Sequence, residues 1–298
     1  MKVCIAHGGD VSQPSGGTDR VTAISSGLQR RGFDVTLVVP KPEDQFPEIL
    51  KGCRIRTVTS DRLGVSNSLT RAEKISSAAR KVSKEDDTKL QIEHSSLAGI
   101  GTFRGCRDYV LDMHDLAYSR YDHVDSTLSP VLKRGVAWLE QRAVGYSSHI
   151  IAVSEYMGQV LIEDWGVEED DVTVIPNGYF PDRINEASTI QPTKGRICFL
   201  GTLHPKVDIQ AFVEVANLPA VSEVIVIGDG ALRDRVENIA STHSKIHATG
   251  RLPDDEAFRL LGSAEILINP QTGSELQRSS SPVKLFYYTA MGKPMVVT

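Results

Sequence analysis

The 298-residue chain has few cysteines and few aromatic residues: four Cys, two Trp, and only 6% Phe, Trp and Tyr together. The cysteines (Cys4, Cys53, Cys106, Cys198) are scattered without a CxxC pair, so neither a disulfide scaffold nor a zinc site is encoded. Two of them sit in apolar, strand-like runs, which reads as reduced, buried thiols in a cytoplasmic protein. Long apolar stretches are absent too. Runs such as Val224-Ile225-Val226-Ile227 fall far short of the roughly 18 residues a membrane span needs. Met1 to Asp10 turns polar too early for a signal-peptide core and reads as a first strand. Nor is there an excess of positive charge: 33 Lys and Arg against 38 Asp and Glu leave a net charge of -5. Nothing in that balance favours a nucleic acid partner.

What remains is ordinary globular composition, 40% hydrophobic and 24% charged, at a length of about two domains of roughly 150 residues. Short β-branched runs alternate with longer helical patterns, the mark of βαβ units and parallel sheets. Strands are expected at Val3–Ala6, Phe33–Val39, Leu90–Ile92, Tyr109–Leu111, Ile150–Val153 and Val172–Ile175. Between them Val21, Ile24 and Leu28 recur at helical spacing up to a stop at Gly32. Thr70-Arg71-Ala72-Glu73 reads as a capping box opening a helix. Pro130 to about Val144 carries a broad apolar helix face through Val131, Leu132, Val136, Leu139 and Val144. The polar stretch Asn185 to Gly195 reads as a linker, dividing the chain into domains 1–187 and 188–298. After it the rhythm restarts with strands at Arg196–Leu200, Val224–Ile227, Lys245–Ala248 and Ile266–Ile268. The expected fold is α/β, with two doubly wound parallel-sheet domains in tandem and ligands at the carboxyl ends of their strands. Pro294 to Thr298 reads as the opening of a buried strand with nothing after it, so the second domain is expected to be incomplete.

Several segments could carry chemistry. Gly16-Gly17-Thr18-Asp19-Arg20 lies between the first strand and first helix, where small residues admit an anion to the helix amides; a plain turn is the competing reading. Neither this segment nor Gly228-Asp229-Gly230 matches GxGxxG, which argues against a nicotinamide oxidoreductase. His114, in Asp112-Met113-His114-Asp115, follows a strand and can exchange a proton with a bound hydroxyl near neutral pH; a loop histidine bonded to the adjacent aspartates is the alternative. The eight histidines include no HExxH spacing, so no metal site is expected. Ser281 as N-cap, Pro282 in the first helical turn and Lys284 would form a cradle for a diphosphate, or simply a capped helix. Lys206 follows the first strand of the second half and adds a second cation.

Taken in order, Gly16-Gly17, Ile151-Ala152-Val153-Ser154-Glu155-Tyr156-Met157, Val174-Ile175-Pro176-Asn177-Gly178, Phe199-Leu200-Gly201-Thr202-Leu203, Thr249-Gly250-Arg251-Leu252-Pro253, Ser281-Pro282-Val283-Lys284-Leu285-Phe286 and Ala290-Met291-Gly292-Lys293-Pro294 resemble the GT-B glycosyltransferases of family 4. The resemblance spans nearly the whole chain. It implies transfer of a sugar from a nucleotide diphosphate donor with retention, without a metal or any cofactor besides the donor substrate. The acceptor would be a glycan, a glycolipid or a protein-linked group, and a lipid-linked acceptor would bring the chain to the inner face of a membrane, although no basic amphipathic helix stands out. By position, His114 resembles the catalytic histidine near the transferred sugar and Gly17 the loop approaching donor phosphate or acceptor. Lys206 resembles the basic residue on the diphosphate, Arg251 and Leu252 border the base pocket, and Ser280, Ser281 and Lys284 match the phosphate-facing loop and helix start. Two departures stand out. The glutamate that holds the ribose in the family is Tyr287 here, with Ser279 in place of its earlier companion. The family also continues through more of the second sheet, so an inactive or truncated relative that only binds nucleotide or a partner is the alternative.

Overall fold

The computed structural model describes residues 1–59, 64–85, 88–123 and 127–298. Its contacts divide into two compact units, Met1–Asn177 with Arg278–Ser281, and Gly178–Gln277 with Pro282–Thr298. In the first, strands β1 (Lys2–Ala6), β2 (Asp34–Pro40), β3 (Arg54–Val58), β4 (Lys89–Glu93), β5 (Tyr109–Met113), β6 (Ser147–Ala152) and β7 (Val172–Val174) alternate with helices. These are α1 (Gly16–Arg30), α2 (Gly64–Ser83), α3 (Ser95–Phe103), α4 (Ser129–Gly145) and the short α5 (Glu155–Gln159). The second unit holds β8 (Arg196–Leu200), β9 (Glu223–Ile227), β10 (Ile246–Gly250), β11 (Ile266–Asn269) and β12 (Met295–Val297), with α6 (Gln210–Ala216), α7 (Arg233–Thr242), α8 (Asp254–Gly262), α9 (Glu275–Arg278, its last residue in the first unit) and α10 (Val283–Ala290).

Both sheets are parallel, in the orders β3-β2-β1-β4-β5-β6-β7 and β10-β9-β8-β11-β12. Parallel strands are covered on both faces, which is why β1, β4 and β5 are nearly all buried rather than alternating. Ile75 and Ala79 of α2 and Leu97 and Ala98 of α3 pack on one face of the first sheet, while Val21 of α1 and Leu50 cover Ile5 and Leu37 on the other. In the second unit Phe212 and Val236 back one face, and Phe258, Leu261, Tyr287 and Tyr288 the other. The Ser15 hydroxyl caps α1 by accepting from Thr18 N at 3.1 Å, and Gly32 at φ +86° ends it, as a left-handed residue past a helix does. All four cysteines are free, and burial pushes the thiols of Cys4 and Cys198 up to about 12. Among the described residues no helix is long and apolar enough to cross a membrane.

The structure corrects several local expectations. Helix α2 begins at Gly64, so Thr70 to Glu73 lies inside it rather than capping it. β3 and α3 are added: β3 is a charged strand at the sheet edge, the kind of edge that resists further pairing. Val131 and Leu132 of α4 are 67% and 45% exposed, while Glu140 is buried. The reason is polar: Glu140 accepts from Ser95 Oγ at 2.6 Å and from the amides of Ala117 and Tyr118 at 2.9 Å, and turning it inward turns the valine out. β12 pairs with β11 at the sheet edge, and its three residues are exposed. The contact boundary falls at Asn177/Gly178, ahead of the 187/188 division read from polarity, because Ile184 and Ala187 pack with Ala257 and Phe258 in the second core.

Candidate active site

In the first sheet the strand order reverses between β1 and β4, and such a reversal opens a crevice outside the strand ends. Three histidines gather there, each just past a carboxyl end: His7 after β1, His94 after β4, His114 after β5. The His94 and His114 rings lie 4.3 Å apart, and His94 is held at φ +76°, a left-handed conformation costly for a residue with a side chain. Gly17, in the first turn of α1, looks onto the same place. A Cβ there would lie 3.6 Å from His114 Nδ1 and 3.7 Å from His7 Cε1. Gly16 and Gly17 therefore open a helix rather than a turn of positive φ, and Gly17 lies beside His114.

Behind the histidines lies a buried charge cluster. Glu93 and Asp112 are register partners at the ends of β4 and β5, and neither is exposed. Arg20 of α1 donates through Nε to both Asp112 oxygens, at 3.0 and 2.9 Å, and through Nη1 to Asn177 Oδ1 at 3.1 Å. His114 Nε2 pairs with Glu93 Oε2 at 2.8 Å, and Gln91 Nε2 donates to the other Glu93 oxygen at 2.7 Å. Burial pushes Glu93 up to about 7 against the pull of Arg20. Burial and then the Glu93 charge raise Asp112 to about 6. Burial also lowers His7 and His94 to about 3, with His114 adding to both, and lowers His114 against the opposing charge of Asp112. A neutral His114 with one nitrogen fixed by a carboxyl group offers its other nitrogen to a hydroxyl. Glu93, Asp112 and His114 also bring three ligand-type atoms within 4.8 Å of one another. A divalent cation there would meet the Arg20 guanidinium, since that ion pair already compensates the carboxylates.

The segment Arg278–Ser281 belongs to this unit. Ser279 Oγ accepts from Leu116 N at 3.3 Å, and Ser281 Oγ accepts from Asn177 N at 3.1 Å. Ser281 is therefore not the cap expected of it: α10 begins at Val283 behind Pro282 without a side-chain cap. Ser280 is half-buried beside it.

The second sheet reverses between β8 and β11. Lys206 lies in the loop after β8, where its carbonyl accepts from Thr272 N at 3.0 Å beyond β11. Lys284, in the first turn of α10, places Nζ 4.1 Å from the centre of the Phe199 ring, and a Cβ on Gly201 would overlap that ammonium. Burial, and next the charge of Lys206, lower Lys284 to about 7. The structure thus brings these two lysines into one electrostatic neighbourhood. Arg251 is exposed just past β10, and Leu252 packs against the cluster containing Tyr287. Tyr287 is buried, with its ring 4.8 Å from that of Phe258. Its hydroxyl accepts from Arg183 Nη1 at 3.1 Å and Phe180 N at 3.4 Å.

Sequence reasoning passed over His7, His94, Glu93 and Arg20. Glu93 had a mark, a carboxylate closing the strand Leu90-Gln91-Ile92, and Arg20 stood at the end of the Gly16-Gly17-Thr18-Asp19-Arg20 segment.

Two units, each built on one parallel sheet with polar groups at its strand reversal, share the architecture of GT-B glycosyltransferases, as comparison with known proteins shows. Residues 14–183 match the model of Glycosyltransferase Family 4, and residues 194–298 that of Glycosyl transferases group 1. The chain belongs to glycosyltransferase family 4. It is 26% identical over 181 residues to the 2-deoxystreptamine glucosyltransferase of Streptomyces kanamyceticus, a match covering 55% of this chain and 46% of that protein, so it spans less than half the relative's length. Among solved structures, sucrose-phosphate synthase from Thermosynechococcus elongatus has a TM-score of 0.76 at 15% identity, over 99% of this chain and 80% of the other. Anabaena HepE, in complex with UDP-glucose, has a TM-score of 0.69 at 16% identity, over 100% of this chain and 80% of the other. At such identities the likeness is one of fold.

Proposed function

We propose that the chain transfers a sugar from a nucleotide diphosphate sugar to a hydroxyl of a glycan, lipid-linked or protein-linked acceptor, with retention at the anomeric carbon. The observation that carries this reading is the succession of two glycosyltransferase family matches along the chain. The UDP-glucose complex of a neighbour sharing the fold supports a nucleotide sugar as donor. In this reading Lys206 and Lys284 neutralise charge developing on the departing diphosphate as the anomeric carbon becomes cationic. Arg251 and Leu252 border the base, and His114, fixed by Glu93, faces the reacting sugar and acceptor across the gap left by Gly17.

Tyr287 favours a second reading, a relative that binds nucleotide or a partner without catalysis. Its hydroxyl already serves Arg183 and Phe180, and a phenol cannot accept from two ribose hydroxyls as a carboxylate does. One experiment separates the two. Thermal unfolding of the chain with UDP, GDP, ADP, their sugar conjugates and NAD identifies the donor base, because ligand at about 100 times its Kd adds roughly 2.7 kcal/mol. Sugar transfer from the selected donor, with the product anomer read by NMR, establishes the first reading. Nucleotide binding without transfer, unchanged in Tyr287→Glu, establishes the second.

A further inference from the structure

Around His114 the first unit keeps three buried polar atoms without a hydrogen-bond partner among the described residues: His7 Nδ1, Arg20 Nη2 and Asp115 Oδ1. His7 is only 4% exposed, and neither nitrogen of its ring bonds to a described residue. Leaving such atoms unpaired costs free energy, and several around one crevice point to a ligand that supplies what the fold does not. The His7 ring is closely held. A Cβ on Gly9 would lie 2.7 Å from its Nε2, so glycine lets the backbone close on that edge. On the other side Cε1 borders the space before Gly17 at 3.7 Å, which His114 Nδ1 borders at 3.6 Å. The His94 ring, 4.3 Å from that of His114, also has no hydrogen bond to a described residue.

What this lining offers is hydrogen bonding without free charge. Burial, and next His114, lower His7 and His94 to about 3, so both rings are neutral at working pH. The charged side chains nearby are committed to one another: Arg20 to Asp112, and Arg120 Nη2 to Asp115 Oδ2 at 2.6 Å, while Glu93 holds His114. Arg20 Nη2 therefore adds a donor and Asp115 Oδ1 an acceptor, and the two charges stay cancelled. A phosphate or carboxylate would meet no uncommitted cation in this cluster, and an ammonium no uncommitted carboxylate. A transition metal would need the ring nitrogens to converge. Among the described residues the ligand-type atoms that come within 4.8 Å of one another are those of Glu93, Asp112 and His114, which leaves out His7 and His94. Neutral imidazoles, each with one donor and one acceptor nitrogen, suit hydroxyls, which both donate and accept. We infer that His7, with His94 beside it, binds the hydroxyls of an uncharged polyol ring and so selects the acceptor, a sugar whose reacting hydroxyl is flanked by hydroxyls and not by a phosphate, carboxylate or amino group. The role as acceptor rests on the transfer reading; the binding does not.

The test is NMR of the histidine rings in the 15N-labelled full chain, titrated with glucose, galactose and mannose and with glucosamine, glucuronate and glucose 6-phosphate. His7→Gln and His94→Gln assign the signals. The His7 and His94 signals should move saturably with at least one neutral sugar, and its charged relatives should bind about tenfold more weakly or worse. His7→Leu removes both ring nitrogens and should raise that Kd about tenfold, the worth of one or two hydrogen bonds. Its unfolding midpoint should stay equal or rise, because the atom lost has no partner in the fold. His7→Gln keeps a donor and an acceptor and should recover most of the affinity. In transfer from the donor selected by thermal unfolding, His7→Leu should raise KM for the neutral sugar more than it lowers kcat. Signals unmoved by every neutral sugar, equal binding of the charged ones, or a His7→Leu variant that loses stability but not affinity would overturn the inference. Ring shifts without transfer to the bound sugar would establish the binding and count against the transfer reading. Transfer with unmoved His7 signals would remove the inference and leave that reading standing.

Discussion

His114 Nε2 lies 2.8 Å from Oε2 of Glu93, a carboxyl group with no exposed surface, while Nδ1 of the same ring faces the space a side chain at Gly17 would occupy. One side of the imidazole is thus fixed from within and the other is presented outward. The carboxyl group titrates unusually high, which sets a pH signature. Below the ordinary glutamate range Glu93 is protonated folded or unfolded and adds nothing. As pH rises from about 4.5 to about 7 the unfolded chain releases this proton and the folded chain keeps it, so stability is lost across that window. Glu93→Gln has no such proton. Relative to wild type it should therefore gain stability as pH rises from 4.5 to 7, on the order of a few kcal/mol. Thermal midpoints of both proteins across that window check this; a constant difference would show that Glu93 titrates normally.

Gly17→Ala places a methyl group at ordinary contact distance from His114 and His7, so nothing in the fold must move. Alanine also costs less backbone entropy than glycine in a helix. The variant should fold with an equal or higher midpoint, yet its kcat/KM for transfer should fall by about tenfold or more, since misplacing reacting groups by a fraction of an ångström is costly. Wild-type activity in Gly17→Ala would mean that no substrate uses the space before His114.

The parallel alternation was legible because a buried parallel strand writes itself as an unbroken β-branched run, as in Val3 to Ala6 and Val224 to Ile227. β3 was not, because Arg54-Ile55-Arg56-Thr57-Val58 is a charged edge strand, half exposed, with no apolar run to announce it. His114 and Gly17 each stood out in the sequence because both follow strand ends, but Glu93 and Arg20 did not. Their meeting depends on β4 and β5 lying side by side and on α1 crossing above them, which are relations of tertiary packing. The exposure of Val131 had the same origin: hydrophobicity counts five apolar positions on α4, and only the partners of Glu140 decide which side turns in.

Lys284 should make nucleotide binding depend on pH. Its ammonium is held near 7 by burial and by Lys206, so above that pH the free protein carries it neutral. A bound diphosphate favours the charged form and must draw a proton in. Affinity for the preferred nucleotide diphosphate should therefore fall as pH rises above about 7, with proton uptake seen by calorimetry in buffers of different ionisation enthalpy. Lys284→Arg keeps its charge and should flatten the profile. A wild-type affinity independent of pH between 7 and 9 would remove Lys284 from the diphosphate site.

Arg20 and Asp112 offer the sharpest test of what holds the histidine cluster together. The guanidinium reaches both Asp112 oxygens, and the carboxyl faces Glu93 across the strand pair, so each depends on the other for compensation. Arg20→Met should cost about 3–5 kcal/mol, because it leaves a buried carboxylate unpaired beside a second one. Asp112→Asn should also destabilise, by stranding the guanidinium. The double variant removes both charges, and its loss should be smaller than the sum of the two by about 1–3 kcal/mol. Denaturant midpoints of the four proteins measure that coupling. Additive losses would mean that the pair contributes no mutual stabilisation and that the two residues are held in place independently by Asn177 and by the strand ends.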